Sequence, residues 1–144
     1  MTKIDYLVAV AFGLTALGAA HAGSDDGNPL MVSVTTADVQ SQFMALALAN
    51  QSMAQDAEPR VLLCGPGAEI ATRDYDGESL EPSGMNPQDL LNNLIEAGVT
   101  VEVCAVFLPN TEYTEDDLID GIGTANPREV GAYMADPAVR FWSN

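Results

Sequence analysis

The chain predicts an α/β fold with a mostly parallel sheet. Three observations carry this. Short β-branched runs recur, segments of helical periodicity separate them, and the run at 99–107 is the most apolar segment beyond residue 22. Consecutive strands joined through helices need crossover connections, which make neighbouring strands parallel and cover both faces of the sheet.

The elements follow in order. Met31-Val-Ser-Val-Thr35 is short and β-branched, a first strand. In 37–54, Val39, Phe43, Leu46, Ala49 and Met53 fall at three- and four-residue steps, one face of a helix that Thr36 can cap. Arg60-Val-Leu-Leu-Cys64 reads as a second strand, stopped by Gly65-Pro66-Gly67, and a loop rich in Asp, Glu and Gly runs from about Arg73 to Met85. Asn86-Pro87-x-Asp89 starts a helix by three signals at once: a cap, a first-turn proline and a first-turn acid. Leu90, Leu91, Leu94 and Ile95 form its buried stripe and Gly98 ends it. The third strand is 99–107. Thr114-Glu-Asp-Asp117 and Asn126-Pro127-x-Glu129 start two short helices, and Val139-Arg-Phe-Trp142 closes the chain as a strand.

Ahead of these elements, residues 1–22 read as a secretory signal. Lys3 opens it, Tyr6–Leu17 is an apolar stretch too short to span a bilayer comfortably, and Ala20-His21-Ala22 is a cleavage site of the A-x-A type. The alternative, a retained single-helix anchor, asks for a longer apolar run. Residues 23–30 form a polar tether, and 31–144 make one domain, since 122 residues remain of 144 once 22 are cut. The expected location is periplasmic or secreted, with no membrane attachment after cleavage.

Charge excludes partners. Of five basic residues Lys3 goes with the signal, leaving four arginines, and of 21 acidic residues Asp5 goes, leaving twenty. Such a surface repels phosphate backbones, so no nucleic acid partner is expected, and it disfavours anionic lipid. The single histidine, His21, also lies in the signal, which removes Cys–His and Ser–His couples and imidazole metal sites from the mature chain. Without lysine there is no Schiff base. Gly65-Pro66-Gly67 lacks the further residues of a phosphate loop and reads as a plain turn. Asp74-x-Asp76-Gly77 has its glycine too early for a calcium loop, with Met85 where the closing Glu belongs. Neither a cofactor nor a metal is expected.

Two cysteines remain. Cys104 lies near the carboxyl end of the third strand, where ligands and chemistry collect in α/β sheets, and is the best nucleophile candidate. Alternation puts Glu102 on its face, and a nearby carboxylate raises a thiol pKa. A helix start near Thr114, or Arg128 folded back, would offset it. In an oxidising compartment Cys64 and Cys104 have the option of a disulfide. Two in-plane parallel strands seldom aim their side chains for a relaxed bridge, so Cys64 is expected to pack as a small apolar residue instead.

The stretch from Leu80 through Asn86-Pro87, Ala97-Gly98-Val99 and Cys104, with Leu108-Pro-Asn110, Asp117-Leu-Ile-Asp-Gly-Ile-Gly123 and Asn126-Pro127, resembles the DsrE/DsrF-like sulfur-relay family, and most closely its exported single-domain members. The resemblance spans about residues 31–144, with its specific part at about 80–127. It implies a three-layer α/β/α sandwich, a homo-oligomer, and sulfur carriage: Cys104 accepts a sulfane sulfur as a persulfide and exchanges it with a thiol-bearing donor or acceptor protein. The alternatives are a non-catalytic small-ligand-binding module, with 73–85 and 108–114 as rim loops, and a redox protein cycling Cys64 and Cys104 between dithiol and disulfide. Phe141 and Trp142 suit an interface as readily as a core.

Overall fold

The structure is a computed structural model that describes residues 27–144; the expected signal, residues 1–22, and residues 23–26 of the expected tether lie outside the described residues. Its elements are β1 (Asn28–Val34), α1 (Val39–Met53), β2 (Ala57–Leu63), α2 (Pro87–Glu96), β3 (Thr100–Val103), β4 (Ile122–Thr124), α3 (Pro127–Met134) and β5 (Arg140–Ser143), with 3-10 turns at Gly65–Ala71, Leu108–Asn110 and Glu115–Asp117. The five strands form one sheet in the order β4-β3-β2-β1-β5. Every ladder is parallel.

Strand order explains how the helices divide between the layers. From β1 to β4 the chain steps across the sheet in one direction, then jumps from β4 back past β1 to β5. Right-handed crossovers in opposite directions must pass over opposite faces. Accordingly α1 and α2 share one face, where Leu46, Ala49, Leu91 and Leu94 pack on Val32, Val34, Val61, Leu63, Val101 and Val103. On the other face, α3 brings Val130 against Met31, with Leu62 and Tyr133 at the margin of that cluster. The α/β/α sandwich is therefore thick on one side and covered by one eight-residue helix on the other.

Several boundaries move from their sequence positions. The first strand starts at Asn28, inside the expected tether, because residues 28–30 pair with Ala57–Pro59. Thr36 does not cap α1. Asp38 does, its carboxylate accepting from the Ser41 amide at 2.8 Å, while the Thr36 hydroxyl accepts from the Asp38 amide. The buried positions of α1 are Gln42, Ala45, Leu46 and Ala49; of the expected stripe Leu46 and Ala49 are buried and Phe43 and Met53 pack partly buried against the core, while Gln42 is accommodated by donating to the Thr36 carbonyl at 2.8 Å. The third strand stops at Val103 rather than running to Phe107, and the start at Thr114 yields a single 3-10 turn closed by a Thr114–Asp117 capping box. One strand, β4, was not anticipated.

The second helix matches its sequence signals closely. Asn86 accepts from the Asp89 amide at 3.0 Å and Asp89 accepts in return from the Asn86 amide at 2.8 Å, a full capping box with Pro87 at the first turn. Gly98, at φ +82°, ends it in a Schellman pair: its own amide bonds to Ile95 and that of Val99 to Leu94. An Asn86→Ala variant is expected to lose about 1 kcal/mol of stability in a denaturant titration. A change within error would mean that the cap contributes nothing measurable.

Candidate functional site

Cys64 and Cys104 occupy equivalent places on neighbouring strands. The last ladder pair between β2 and β3 is Leu63 with Val103, and each cysteine is the next residue along. Main-chain bonds fix both positions. The Cys64 amide donates to the Val34 carbonyl at 2.9 Å, and the Cys104 amide donates to the Leu63 carbonyl at 2.8 Å. Beyond them both chains turn at once, with Gly67 donating to the Cys64 carbonyl at 3.1 Å and Phe107 to the Cys104 carbonyl at 2.8 Å.

The two sulfurs are bonded to each other, with the Cα atoms 5.1 Å apart, inside the usual disulfide range. The expectation that Cys64 packs as a lone apolar residue is therefore corrected. The geometric objection to a bridge assumed that Cys104 sits inside a long strand. With β3 ending at Val103, both residues lie just past the sheet, where the backbone is released from the ladder. Both are partly buried.

The turn after Cys64 depends on its glycines. Gly65 stands at φ +52°, the left-handed region that favours glycine, and a side-chain carbon on Gly67 would lie 2.5 Å from the Val34 carbonyl oxygen. The sequence read this segment as a plain turn; it is a turn that opens directly into the 3-10 helix Gly65–Ala71, packed against the end of β1. An open cleft of about 380 Å³ lies where the two turns diverge, bounded by Gly65, Pro66 and Glu69 on one side and Val106, Phe107, Asn110 and Thr111 on the other. Val106 is 67% exposed there. Of the two expected rim loops, 108–114 contributes to this cleft. Leu80, Glu81 and Pro82 of the other loop instead line a separate cleft with Gln40, Phe43 and Met44 of α1.

Glu102, expected to share a face with the thiol, is held by Arg60, not Arg128. Both Nε and one terminal nitrogen of Arg60 donate to the same Glu102 oxygen, at 2.9 and 2.7 Å, with the two side chains 17% and 14% exposed. The guanidinium also lies 5.3 Å from the Tyr133 ring centroid on α3. Burial pushes the Tyr133 phenol up, with Arg60 pulling the other way. At the rim, the Thr114 side chain and amide hold the Asp117 carboxyl below its usual value. Sequence reasoning missed Arg60. Its signal was positional, since Arg60 pairs with Thr100 and is thus a diagonal neighbour of Glu102. Among the described residues no cluster of His, Cys, Asp or Glu could hold a metal ion, and no helix is long and apolar enough to cross a membrane.

A model of the DsrE/DsrF-like family matches residues 30–136, most of the domain just described. The chain belongs to the DsrE/DsrF-like family. No curated protein matches it. Among solved structures, this DsrE/DsrF-like chain is similar to the ychN protein from E. coli, with a TM-score of 0.64 and 19% identity over 81% of this chain and 97% of that one. It is also similar to MTH1491, a protein of unknown function from Methanobacterium thermoautotrophicum, with a TM-score of 0.61 and 14% identity over 81% and 98%. At such identities the likeness concerns the DsrE-like fold.

Proposed function

We propose that this DsrE/DsrF-like protein is a sulfur carrier in which Cys104 bears a persulfide and Cys64 resolves it, working in the periplasm or outside the cell. The observation that carries this reading is the pairing of the two cysteines at the carboxyl ends of adjacent strands, beside an open cleft. A lone thiol can accept a sulfane sulfur and pass it on. A paired thiol can do one thing more. When the Cys64 thiolate attacks the inner sulfur of a Cys104 persulfide, the Cys64–Cys104 bond forms, the sulfur–sulfur bond of the persulfide breaks, and hydrosulfide leaves with both electrons. Run backwards, hydrosulfide opens the disulfide and regenerates one persulfide and one thiol. Neither direction needs a metal or an outside oxidant.

An oxidising compartment is supported by the disulfide itself, which is rare in the cytosol, and by the A-x-A pattern of Ala20-His21-Ala22 after an apolar stretch. Self-association is supported by the exposed apolar side chains of Met44 and Leu48 on α1 and Phe141 on β5. The same cysteine pair supports a second reading, a dithiol/disulfide redox protein that moves electrons and no sulfur.

Intact-mass measurement separates the two. The reduced protein, treated with polysulfide or thiosulfate, is expected to gain reducible sulfur atoms, and a Cys104→Ser variant none. In a Cys64→Ser variant the persulfide is expected to accumulate, because the resolving thiol is gone. Oxidation to the disulfide in every case, with no sulfur-bearing species even in the Cys64→Ser variant, would replace sulfur carriage with the redox reading.

A further inference from the structure

We infer that the cleft between Gly65–Glu69 and Val106–Thr111 is a docking site for a partner protein that presents its cysteine among apolar residues flanked by cationic ones. This rests on the thiol–disulfide reading above and identifies which thiol is admitted. The cleft is bounded by Gly65 and Pro66, which follow Cys64 directly, and by Val106 and Phe107, two and three residues after Cys104, so an occupant lies between the two turns that leave the disulfide. Its inner wall is apolar, with Phe107 stacked on Tyr113 at 5.9 Å and Val106 left 67% exposed. A small hydrophilic thiol gains nothing from that wall, whereas a protein segment with a leucine or valine beside its cysteine does.

Charge selects further. Residues 64–86 and 104–121, the two segments that leave the ends of β2 and β3, carry ten acidic side chains and one basic one, Arg73. Arg73 is already held by Asp120 at 2.7 Å. Glu69 lies in the cleft itself and Glu112 directly follows its rim residue Thr111. Such a field repels anionic thiols and concentrates cationic ones, in association rate above all. A thiol flanked by arginine is also more fully ionised, hence the attacking species. In the exchange, the partner's thiolate attacks one sulfur of the bridge, a new sulfur–sulfur bond forms to the partner, and the other cysteine leaves as a thiolate that takes up a proton. The disulfide is the electron acceptor, so no further oxidant is involved.

The test compares two short peptides, one with its cysteine between leucine and arginine residues, the other with glutamate replacing arginine. Each rate of opening the oxidised protein, read by acid quench and intact mass, is divided by the same peptide's rate with neutral hydroxyethyl disulfide, which cancels differences in thiol ionisation. The expected preference for the arginine peptide is roughly tenfold or more at low salt, shrinking toward unity near ~1 M salt. Glu69→Gln with Glu112→Gln is expected to remove most of it, while Glu58→Gln with Glu96→Gln, remote from the cleft, leaves it intact. Equal normalised rates, or equal losses in the two double variants, would overturn the docking site and leave the sulfur-carrier reading standing. A bond that neither peptide opens would also overturn the docking site, while sulfur uptake from polysulfide decides the carrier reading separately.

Discussion

An Arg60→Met variant is expected to lose about 2 kcal/mol of stability, somewhat less than breaking a fully buried ion pair costs, because both side chains keep some contact with water. The loss is not the worth of the contact. It is the penalty of leaving the Glu102 carboxylate, 14% exposed, without the two hydrogen bonds that compensate its removal from water. Methionine keeps much of the arginine stem's volume, so packing against Tyr133 changes little and the electrostatic contribution stands out. Differential unfolding in urea reads the loss, and a second change separates its causes. Glu102→Leu in the Arg60→Met background removes the orphaned charge and is expected to restore most of the stability. If the double variant is no more stable than the single, packing rather than charge held this corner together.

Reduction of the Cys64–Cys104 bond is expected to lower stability by about 4 kcal/mol, because it releases the unfolded chain from a loop closed across a sequence separation of 40. The folded side of the equilibrium loses less. Each cysteine keeps its main-chain bonds at 2.8–2.9 Å, and the core on the α1–α2 face contains neither of them. The reduced protein should therefore unfold at lower urea and with a steeper slope, since the released unfolded chain exposes more surface, and a Cys64→Ser, Cys104→Ser double variant should match it. A midpoint unaffected by reductant would mean the bridge constrains nothing. Complete unfolding on reduction would exclude a working cycle through the dithiol, since the carrier must remain folded while it holds sulfur.

What the sequence disclosed, and what it hid, follows from whether a feature is local. The start of α2 at Asn86-Pro87 and its end at Gly98 are written in adjacent residues, because caps are satisfied by atoms three to five positions away. β4 is the opposite case. Ile122-Gly-Thr124 is three residues long with a glycine at its centre, and what makes it a strand is a ladder to Val101–Val103, twenty residues back. Local propensity does not register such a partner. The extension of β1 through Asn28-Pro29 is hidden in the same way, since a turn-like dipeptide becomes strand when β2 offers it a ladder. Strand length is what placed the cysteine pair behind lone packing. An apolar run from Val99 to Phe107 reads as nine residues of β-structure, yet the chain leaves the sheet after Val103, and that departure brings the sulfurs together. The sequence offers Cys104 as a candidate and Cys64 as its possible disulfide partner, the second of these only as an alternative.

The pairing of β1 with β5 has a consequence for biogenesis. β5 is formed by residues 140–143, yet it completes the flank of β1, formed by residues 28–34. In a chain that emerges amino end first, whether from a ribosome or from a translocation pore, β1 and β2 can pair early, while the opposite rim of β1 stays open until more than a hundred further residues have followed. For that interval Leu30 to Ser33 offer unpaired amides and carbonyls, a template for any passing extended chain. Correct maturation thus depends on residues 140–143 arriving before a competitor does, and a frameshift or nick near residue 136 would leave the other four strands assembled with their seam unsewn.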